Sequence, residues 1–544
     1  MVSAYIKSSQ PEIDVPDTDI PSFFFASVKR HAVFTRSKSP RPLFIEDTET
    51  VTLAQLESLC TRLASGLYHT AGVRSGNVVA VVLGNTIHYP MIVLSALMAG
   101  AACTLVNPAY TAREIGHQLA DSRTTHVVTT MALCSVVEAA IGEHKLPIQQ
   151  ILVTDDNIQT DGMHVKSVFS ILSSQEFPRA PVDSASTVAF VPYSSGTTGV
   201  AKGVLLSHRN IVANVLQVAA LSESSSEQPS SSEQPSTSAG VLPMFHSFGL
   251  LFLCLLMPYE GTTTVVMARF EMQGFLQMVQ DHHVTEAMLV PPIITGLIKS
   301  PALVQQYDLS SLKTIVAGAA PLSSSAVAEI ERMLPQVRVV QGYGMSEASP
   351  ALSINPAVGA INPRSVGCLL PNIEAKVIDD AGHVLGQGET GELCFRGPNV
   401  MLGYAGNAKA TREAIDSEGF LHTGDIGHID SAQHVFITDR KKELIKFNGF
   451  QVAPAELEGL LMQHPQIKDC AVAAVFDEQR QTEVPRAYLV VASECSDAEA
   501  VGRCVVEWLN AQVAYFKQLR GGFVMLDAIP KSASGKILRR MLPV

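Results

Sequence analysis

The densest cluster of chemically capable residues is Tyr193-Ser194-Ser195-Gly196-Thr197-Thr198-Gly199-Val200-Ala201-Lys202-Gly203, set between an apolar run and a capped helical pattern. Its glycines let successive backbone N–H groups turn toward one anion, its hydroxyls add short donors, and Lys202 adds a point charge, so the segment reads as a phosphate cradle. It is not a Walker P-loop, which needs Gly directly before the Lys; here Ala201 stands there and Gly203 follows. Two further residues are ambiguous taken alone. His246, in Pro243-Met244-Phe245-His246-Ser247-Phe248-Gly249, is by type a packed or helix-capping histidine, and Lys536 sits in a basic C-terminal tail where a solvated charge is the ordinary reading. The nine cysteines are thinly scattered with no CxxC pair and no metal spacing with the 16 histidines, which reads as reduced thiols serving as small hydrophobes.

The cradle does not stand alone. In order along the chain follow LPMFHSFG (Leu242 to Gly249), GAAPL (Gly318 to Leu322), QGYGMSE (Gln341 to Glu347), GELCFRGPNVMLGY (Gly391 to Tyr404), FLHTGD (Phe420 to Asp425), DRKKELIKFNGFQVAPAELE (Asp439 to Glu458) and PKSASGK (Pro530 to Lys536). With these eight motifs nearly the whole chain resembles the adenylate-forming superfamily of acyl-CoA synthetases, 4-coumarate–CoA ligases, beetle luciferases and nonribosomal adenylation domains. In QGYGMSE, Tyr343 offers a flat face for adenine, while Ser346 and Glu347 offer hard oxygens suited to phosphate and Mg²⁺.

The resemblance implies a division of labour. ATP is taken by Ser194, Ser195, Gly196, Thr197, Thr198, Gly199 and Lys202 at the phosphates, by Gly318, Ala319, Ala320, Tyr343, Gly344 and Ser346 around the adenine and α-phosphate, and by Asp425 and Arg440 at the ribose. Glu347 is the Mg²⁺ ligand. Lys536 bridges the substrate carboxylate and the α-phosphate, where a buried cation offsets the repulsion of two anions and stabilises the phosphoryl-transfer transition state. Rotation at a hinge, Lys442, then withdraws Lys536 and presents Lys446, Gly449, Phe450 and Gln451 to the pantetheine of CoA; Asn448 stands where related ligases often carry Lys. His246 gates the acyl carboxylate, and Phe248, Phe252, Val316 and Gly342 line the acyl pocket. Hydroxycinnamate-specific ligases are expected to place Tyr and Lys where Phe248 and Val316 stand, so the apolar pair points to an unhydroxylated aryl acid or a medium-chain aliphatic acid.

The reaction implied is ATP-dependent ligation of a carboxylic acid to CoA through an acyl-AMP, with His246, Lys446, Gln451 and Lys536 as catalytic residues. Rival readings are acyl transfer to a free carrier protein, luciferase-like oxygenation, and a regulatory protein that binds nucleotide without turnover. The last is disfavoured because Lys202, Glu347 and Lys536 are all present. A fused carrier domain is not expected, as the chain ends shortly after Lys536.

The elements that must position these residues read as α/β. Short apolar runs alternate with helical patterns, as in a parallel sheet covered by helices: Val78 to Leu83, Thr125 to Val128, Gln150 to Val153, Val188 to Val191, Thr263 to Met267, Glu286 to Val290 and Thr314 to Ala317 are candidate strands, and Ser207 to Ala220 is a helix capped by Ser207. Residues 222–238, with a tandem SSSEQPS/SSEQPS repeat, read as a flexible insertion. After Gly367 the Gly-rich turns suggest an antiparallel β unit. A small α+β module follows Arg440, giving an N-terminal domain 1–440 and a mobile C-terminal lid 441–544, with helices at Pro454 to Met462 and Ala498 to Leu509 and strands at Asp469 to Phe476 and Arg486 to Val491. In composition the 544 residues carry a net charge of −12, with 17% charged and 47% apolar, which suits a folded protein and disfavours nucleic acid as a partner. No signal peptide or membrane span is read, since Val78 to Val106 is broken by Gly84, Asn85, His88 and Pro90. The C-terminus, Met541 to Val544, lacks the SKL-type peroxisomal tripeptide, so cytoplasm is the default location. Nothing in the sequence separates a monomer from a homodimer.

Overall fold

A computed structural model describes the chain apart from residues 1–4, 36–39, 157–164, 195–200, 224–235, 357–360, 448–449, 479, 481, 492–497, 534 and 544. Two large sheets dominate. In the first, eight strands run in the order 403–404, 202–207, 188–194, 102–106, 78–82, 126–129, 150–153, 165–167, parallel from Val188–Ser194 outward to Val165–Ser167. Val78–Val82 (VVAVV) and Ala102–Val106 (ACTLV) are apolar because both faces are covered, as central parallel strands require. The second sheet has nine strands, in the order 368–369, 351–354, 338–344, 314–317, 286–289, 237–240, 263–266, 42–46, 49–52. One continuous apolar core joins the two sheets through the helices Ile20–Val28, Leu53–His69, His88–Met98 and His208–Glu223.

The expected strands are present with ends shifted by up to four residues: Val188 continues to Ser194, Thr125 gives way to His126–Thr129, and the strand expected from Arg486 begins at Thr482. Ser207 caps its helix as anticipated, accepting from the Asn210 N–H at 3.1 Å while its own N–H donates to Asn210 Oδ1 at 2.8 Å. The assignment of 222–238 to a flexible insertion is corrected at both ends. The helix continues to Glu223, and Thr237–Gly240 is a central strand paired in parallel with Thr263–Val266 on one side and Glu286–Leu289 on the other. Its small residues suit the tight site: Ser238 is fully buried and donates to Met288 Sδ at 3.4 Å. The repeat itself falls outside the described residues.

After Gly367 the chain builds an antiparallel sheet, ordered 6–7, 374–378, 391–396, 421–429, 435–440. Beyond Arg440 it forms a separate C-terminal unit: the hairpin Ile445–Phe447/Phe450–Val452, the sheet Ile467–Asp477, Thr482–Val491, Phe523–Met525, and the helices Pro454–Leu461 and Ala498–Asn510, around a core of its own. This unit is moored to the rest by Lys299, whose Nζ donates to the Ile467 and Lys468 carbonyls at 2.7 and 2.9 Å. Among the described residues no helix is long and apolar enough to cross a membrane.

Candidate active site

A cleft of about 1490 Å³ opens where strand ends of both large sheets, the antiparallel sheet and the C-terminal tail converge. This is the place the topology predicts, since parallel α/β sheets bind ligands beyond the carboxyl ends of their strands. Ser194 and Lys202 face each other across the mouth of the cradle as register partners of adjacent antiparallel strands. The intervening Ser195, Gly196, Thr197, Thr198 and Gly199 lie outside the described residues. Lys202 Nζ sits 4.9 Å over the ring of Tyr404, whose hydroxyl donates to Glu347 Oε1 at 2.9 Å. Burial and the Glu347 carboxylate together push the Tyr404 phenol well above its ordinary value, so it stays protonated and keeps its donor for Glu347. Glu347 is buried and lines the cleft beside Ser346; carboxylate and hydroxyl are hard oxygen donors and fit a cation such as Mg²⁺.

The strand Arg338–Gly344 brings Tyr343 to the opposite wall. Its hydroxyl donates to Asp425 Oδ2 at 2.6 Å, and Arg440 Nε meets Asp425 Oδ1 at 3.1 Å; Asp425 and Arg440 are themselves cross-strand partners. Burial alone would lower the Arg440 guanidinium, but Asp425 and Glu443 beside it hold it above its ordinary value. Gly344 has no room for a side chain, because a Cβ there would lie 2.0 Å from the Pro350 carbonyl oxygen. At the neighbouring turn Ala319 takes a left-handed φ of 69°, a costly conformation for a residue with a Cβ.

Lys536 enters the cleft from the tail on a tight loop, where its N–H donates to Ser532 Oγ at 3.1 Å and its carbonyl accepts from the Ser532 N–H at 2.8 Å. Gly535 makes that turn with φ +79° while abutting Pro292. Burial, then the nearby Arg440, lower the Lys536 ammonium to about 8. His246 is pressed down to about 4, first by burial and then by Lys536, so it is neutral. Its Nδ1 accepts from the Phe248 N–H at 3.3 Å, so the helix-cap role that its type suggested coexists with a place on the cleft wall.

Phe248, Phe252, Val316 and Gly342 all line the cleft, at its apolar end. Phe248 and Phe252 meet edge to face at 4.8 Å because Leu250–Leu256 is wound as a wide π-helical segment, and Phe248 also covers Gly318, where a Cβ would come within 3.1 Å of its ring. Sequence reasoning missed Tyr404, Met345, Ala351 and Ile354 in the wall, and a polar lobe with Tyr110, Arg113, His117 and Arg540. Tyr404 stood inside a quoted motif and was legible there; Ile354 reaches the pocket only through its cross-strand pairing with Gly342.

Some anticipated residues do not meet in this cleft. Asp425 stands directly behind its wall and Ala320 is not part of its lining. Lys442 lines it, but Lys446 and Phe450 do not: both are exposed, with Phe450 stacked on Phe516 at 4.6 Å. Gly449 and Asn448 lie outside the described residues, as does the side chain of Gln451, whose backbone pairs with Lys446.

The profile of the AMP-binding enzyme family matches residues 30–405, and that of the AMP-binding enzyme C-terminal domain matches residues 456–536. The chain belongs to the AMP-binding enzyme family. A probable 4-coumarate–CoA ligase 1 of Dictyostelium discoideum is 37% identical over 99% of this chain and 97% of its own length, and a 4-coumarate–CoA ligase 1 of Narcissus pseudonarcissus is 37% identical over 98% and 95%. Among solved structures, ATP-bound MatB from Rhodopseudomonas palustris superposes with a TM-score of 0.81 at 25% identity, covering 96% of this chain and 98% of that one. An anthranilate CoA ligase in complex with anthranoyl-AMP shares the fold, with a TM-score of 0.82 at 21% identity over 97% of each chain. This member of the family is an AMP-forming acid–thiol ligase of the 4-coumarate–CoA ligase-like kind.

Proposed function

We propose that the cleft activates an unhydroxylated aryl acid or a medium-chain aliphatic acid in two half-reactions. The substrate carboxylate attacks the α-phosphorus of ATP, the bond to the β-phosphate oxygen breaks, and pyrophosphate leaves; the thiol of CoA then attacks the acyl carbon, losing its proton, and AMP leaves. The observation that carries this reading is the meeting of tail-borne Lys536 with His246, Tyr343, Glu347 and Lys202 around one cleft whose far end is apolar.

Each role follows from the chemistry of its residue. Lys202 and the cradle hydroxyls hold phosphates, Tyr343 and the turn Gly318-Ala319 with Gly344 flank the base, and Arg440, held by Asp425 behind the wall, receives the ribose hydroxyls. Lys536 neutralises the approaching anions; in so dry a place a full cation is worth far more than in water. Glu347 and Ser346 hold Mg²⁺, which offsets phosphate charge when bound. Phe248 and Val316 leave a ring hydroxyl without a partner, and that favours unhydroxylated acids. Residues 441–544 serve as the lid and turn about Lys442. Exposure of Lys446 and Phe450 while Lys536 is inside the cleft suits the adenylating arrangement, with the CoA face of Lys446, Gly449, Phe450 and Gln451 awaiting rotation. Release of AMP from ATP across a panel of aryl and fatty acids, each with and without CoA, tests this reading. Strong CoA dependence with benzoate-like or medium-chain acids supports it. Acid-driven pyrophosphate release to which CoA adds nothing, or a preference for hydroxycinnamates, overturns it.

A further inference from the structure

On the antiparallel sheet, at the margin of the cleft, three side chains of different chemistry converge: Glu392 and Cys394 on the strand Gly391–Arg396, and His422 on Leu421–Ile429. Glu392 and Cys394 share a face by the two-residue period of a strand, and Cys394 is the direct cross-strand partner of His422. An irregularity in the pairing beside Glu392, with Gly424 at φ +69°, draws the glutamate in toward the same point. Cys394 Sγ lies 3.6 Å from His422 Nδ1, and Nδ1 lies 3.7 Å from Glu392 Oε1, with all the donor atoms within 4.8 Å of one another.

We infer that Glu392, Cys394 and His422 form a binding site for a zinc-like divalent transition metal. Tetrahedral ligands at roughly 2.3 Å for sulfur and roughly 2.0–2.1 Å for nitrogen and oxygen leave ligand-to-ligand edges of roughly 3.3–3.6 Å. The two spacings to His422 need only a few tenths of an ångström of contraction, and the Cys394–Glu392 edge, within 4.8 Å, closes by a rotation of the glutamate side chain. The outer shell is also built. His422 Nε2 faces Asp416 Oδ2 at 3.3 Å, the carboxylate–histidine arrangement that orients metal-binding imidazoles, and Asp416 is fixed by Lys376 at 2.7 Å. Cys394 is fully buried, whereas Glu392 and His422 reach the cleft, so the fourth position opens toward it. Mixed sulfur, nitrogen and oxygen donors select zinc, cobalt or similar ions over magnesium.

Entry of M²⁺ forms the S–M, N–M and O–M bonds, the thiol proton passing to solvent as the thiolate binds. The nearby lysines, Lys441 on Glu392 Oε2 at 3.3 Å and Lys376 on Asp416, keep affinity moderate, as befits an exchangeable ion.

The test uses the full-length protein stripped with a chelator and titrated with Co²⁺ near pH 8. The expected result is a thiolate-to-cobalt charge-transfer band that saturates at one equivalent, is erased by Zn²⁺ and ignores excess Mg²⁺. Cys394→Ser should abolish the band. Should that variant fold poorly, Glu392→Gln should weaken Co²⁺ binding by tenfold or more. Absence of the band in the wild type, its persistence in Cys394→Ser, or an unchanged Co²⁺ affinity in Glu392→Gln overturns the assignment.

Discussion

The depressed basicity of Lys536 makes adenylation pH-dependent in a window where an ordinary lysine would be silent. Burial and the neighbouring Arg440 put its ammonium at about 8. In the proposed mechanism the charged form neutralises carboxylate and phosphate, so about nine-tenths of the free enzyme would be competent near pH 7 and about one-tenth near pH 9. Acid-dependent exchange of pyrophosphate into ATP, measured as kcat/KM for ATP, should therefore fall about tenfold across that interval, since kcat/KM reports the free enzyme. At saturating ATP the added phosphate charge raises the lysine, and the limb should move to higher pH. Lys536→Arg, charged throughout, should remove the limb whatever its residual rate. His246, neutral with a value of about 4, does not titrate in this window. A wild-type profile that stays flat from about pH 7 to about pH 9, or a limb that survives in Lys536→Arg, would refute the reasoning.

Other consequences are as direct. Gly344→Ala drives a Cβ into the Pro350 carbonyl, so about 1–3 kcal/mol of stability should be lost and KM for ATP should rise at least about tenfold, measured by thermal melting and exchange kinetics. Phe248→Tyr supplies a phenol at the apolar end and should move the kcat/KM ratio of 4-hydroxylated to unsubstituted aryl acids upward by about tenfold; an unchanged ratio places the ring elsewhere. Arg539 pairs with Glu443 at 2.6 Å and with Glu458 at 2.7 Å, and burial already lifts Glu458 to about 7; Arg539→Ala strands both acids and should cost about 3–5 kcal/mol by denaturant unfolding of the C-terminal unit.

Much of this is legible in the sequence, for reasons that differ by element. Val78–Val82 and Gln150–Val153 announced themselves because a strand covered on both faces must be continuously apolar. The Ser207 cap was legible because its hydrogen bond is local. Thr237–Gly240 was not, since Thr-Ser-Ala-Gly carries no strand signal of its own and owes its place to neighbours on both sides. The wide turn that aims Phe252 at Phe248 was equally hidden, because LLFLCLL is apolar at every position and shows no period. At the site, Lys202 and Tyr343 were readable by type and spacing, whereas Lys536, a solvated charge by type, was pointed to only by the resemblance of its motif. Contacts made across the fold were not: the Lys202–Tyr404–Glu347 chain joins three distant segments, and no single window of sequence contains it.

The central claim is that one cleft adenylates a carboxylate with Lys536 and that a different face completes the thioester. The most direct measurement compares the half-reactions in Lys536→Ala: acid-dependent pyrophosphate exchange, and thioester formation from CoA and supplied acyl-AMP. The account predicts a loss of about 10²–10³-fold in the first with the second within a few-fold of wild type. Equal loss of both, or survival of exchange, would contradict it.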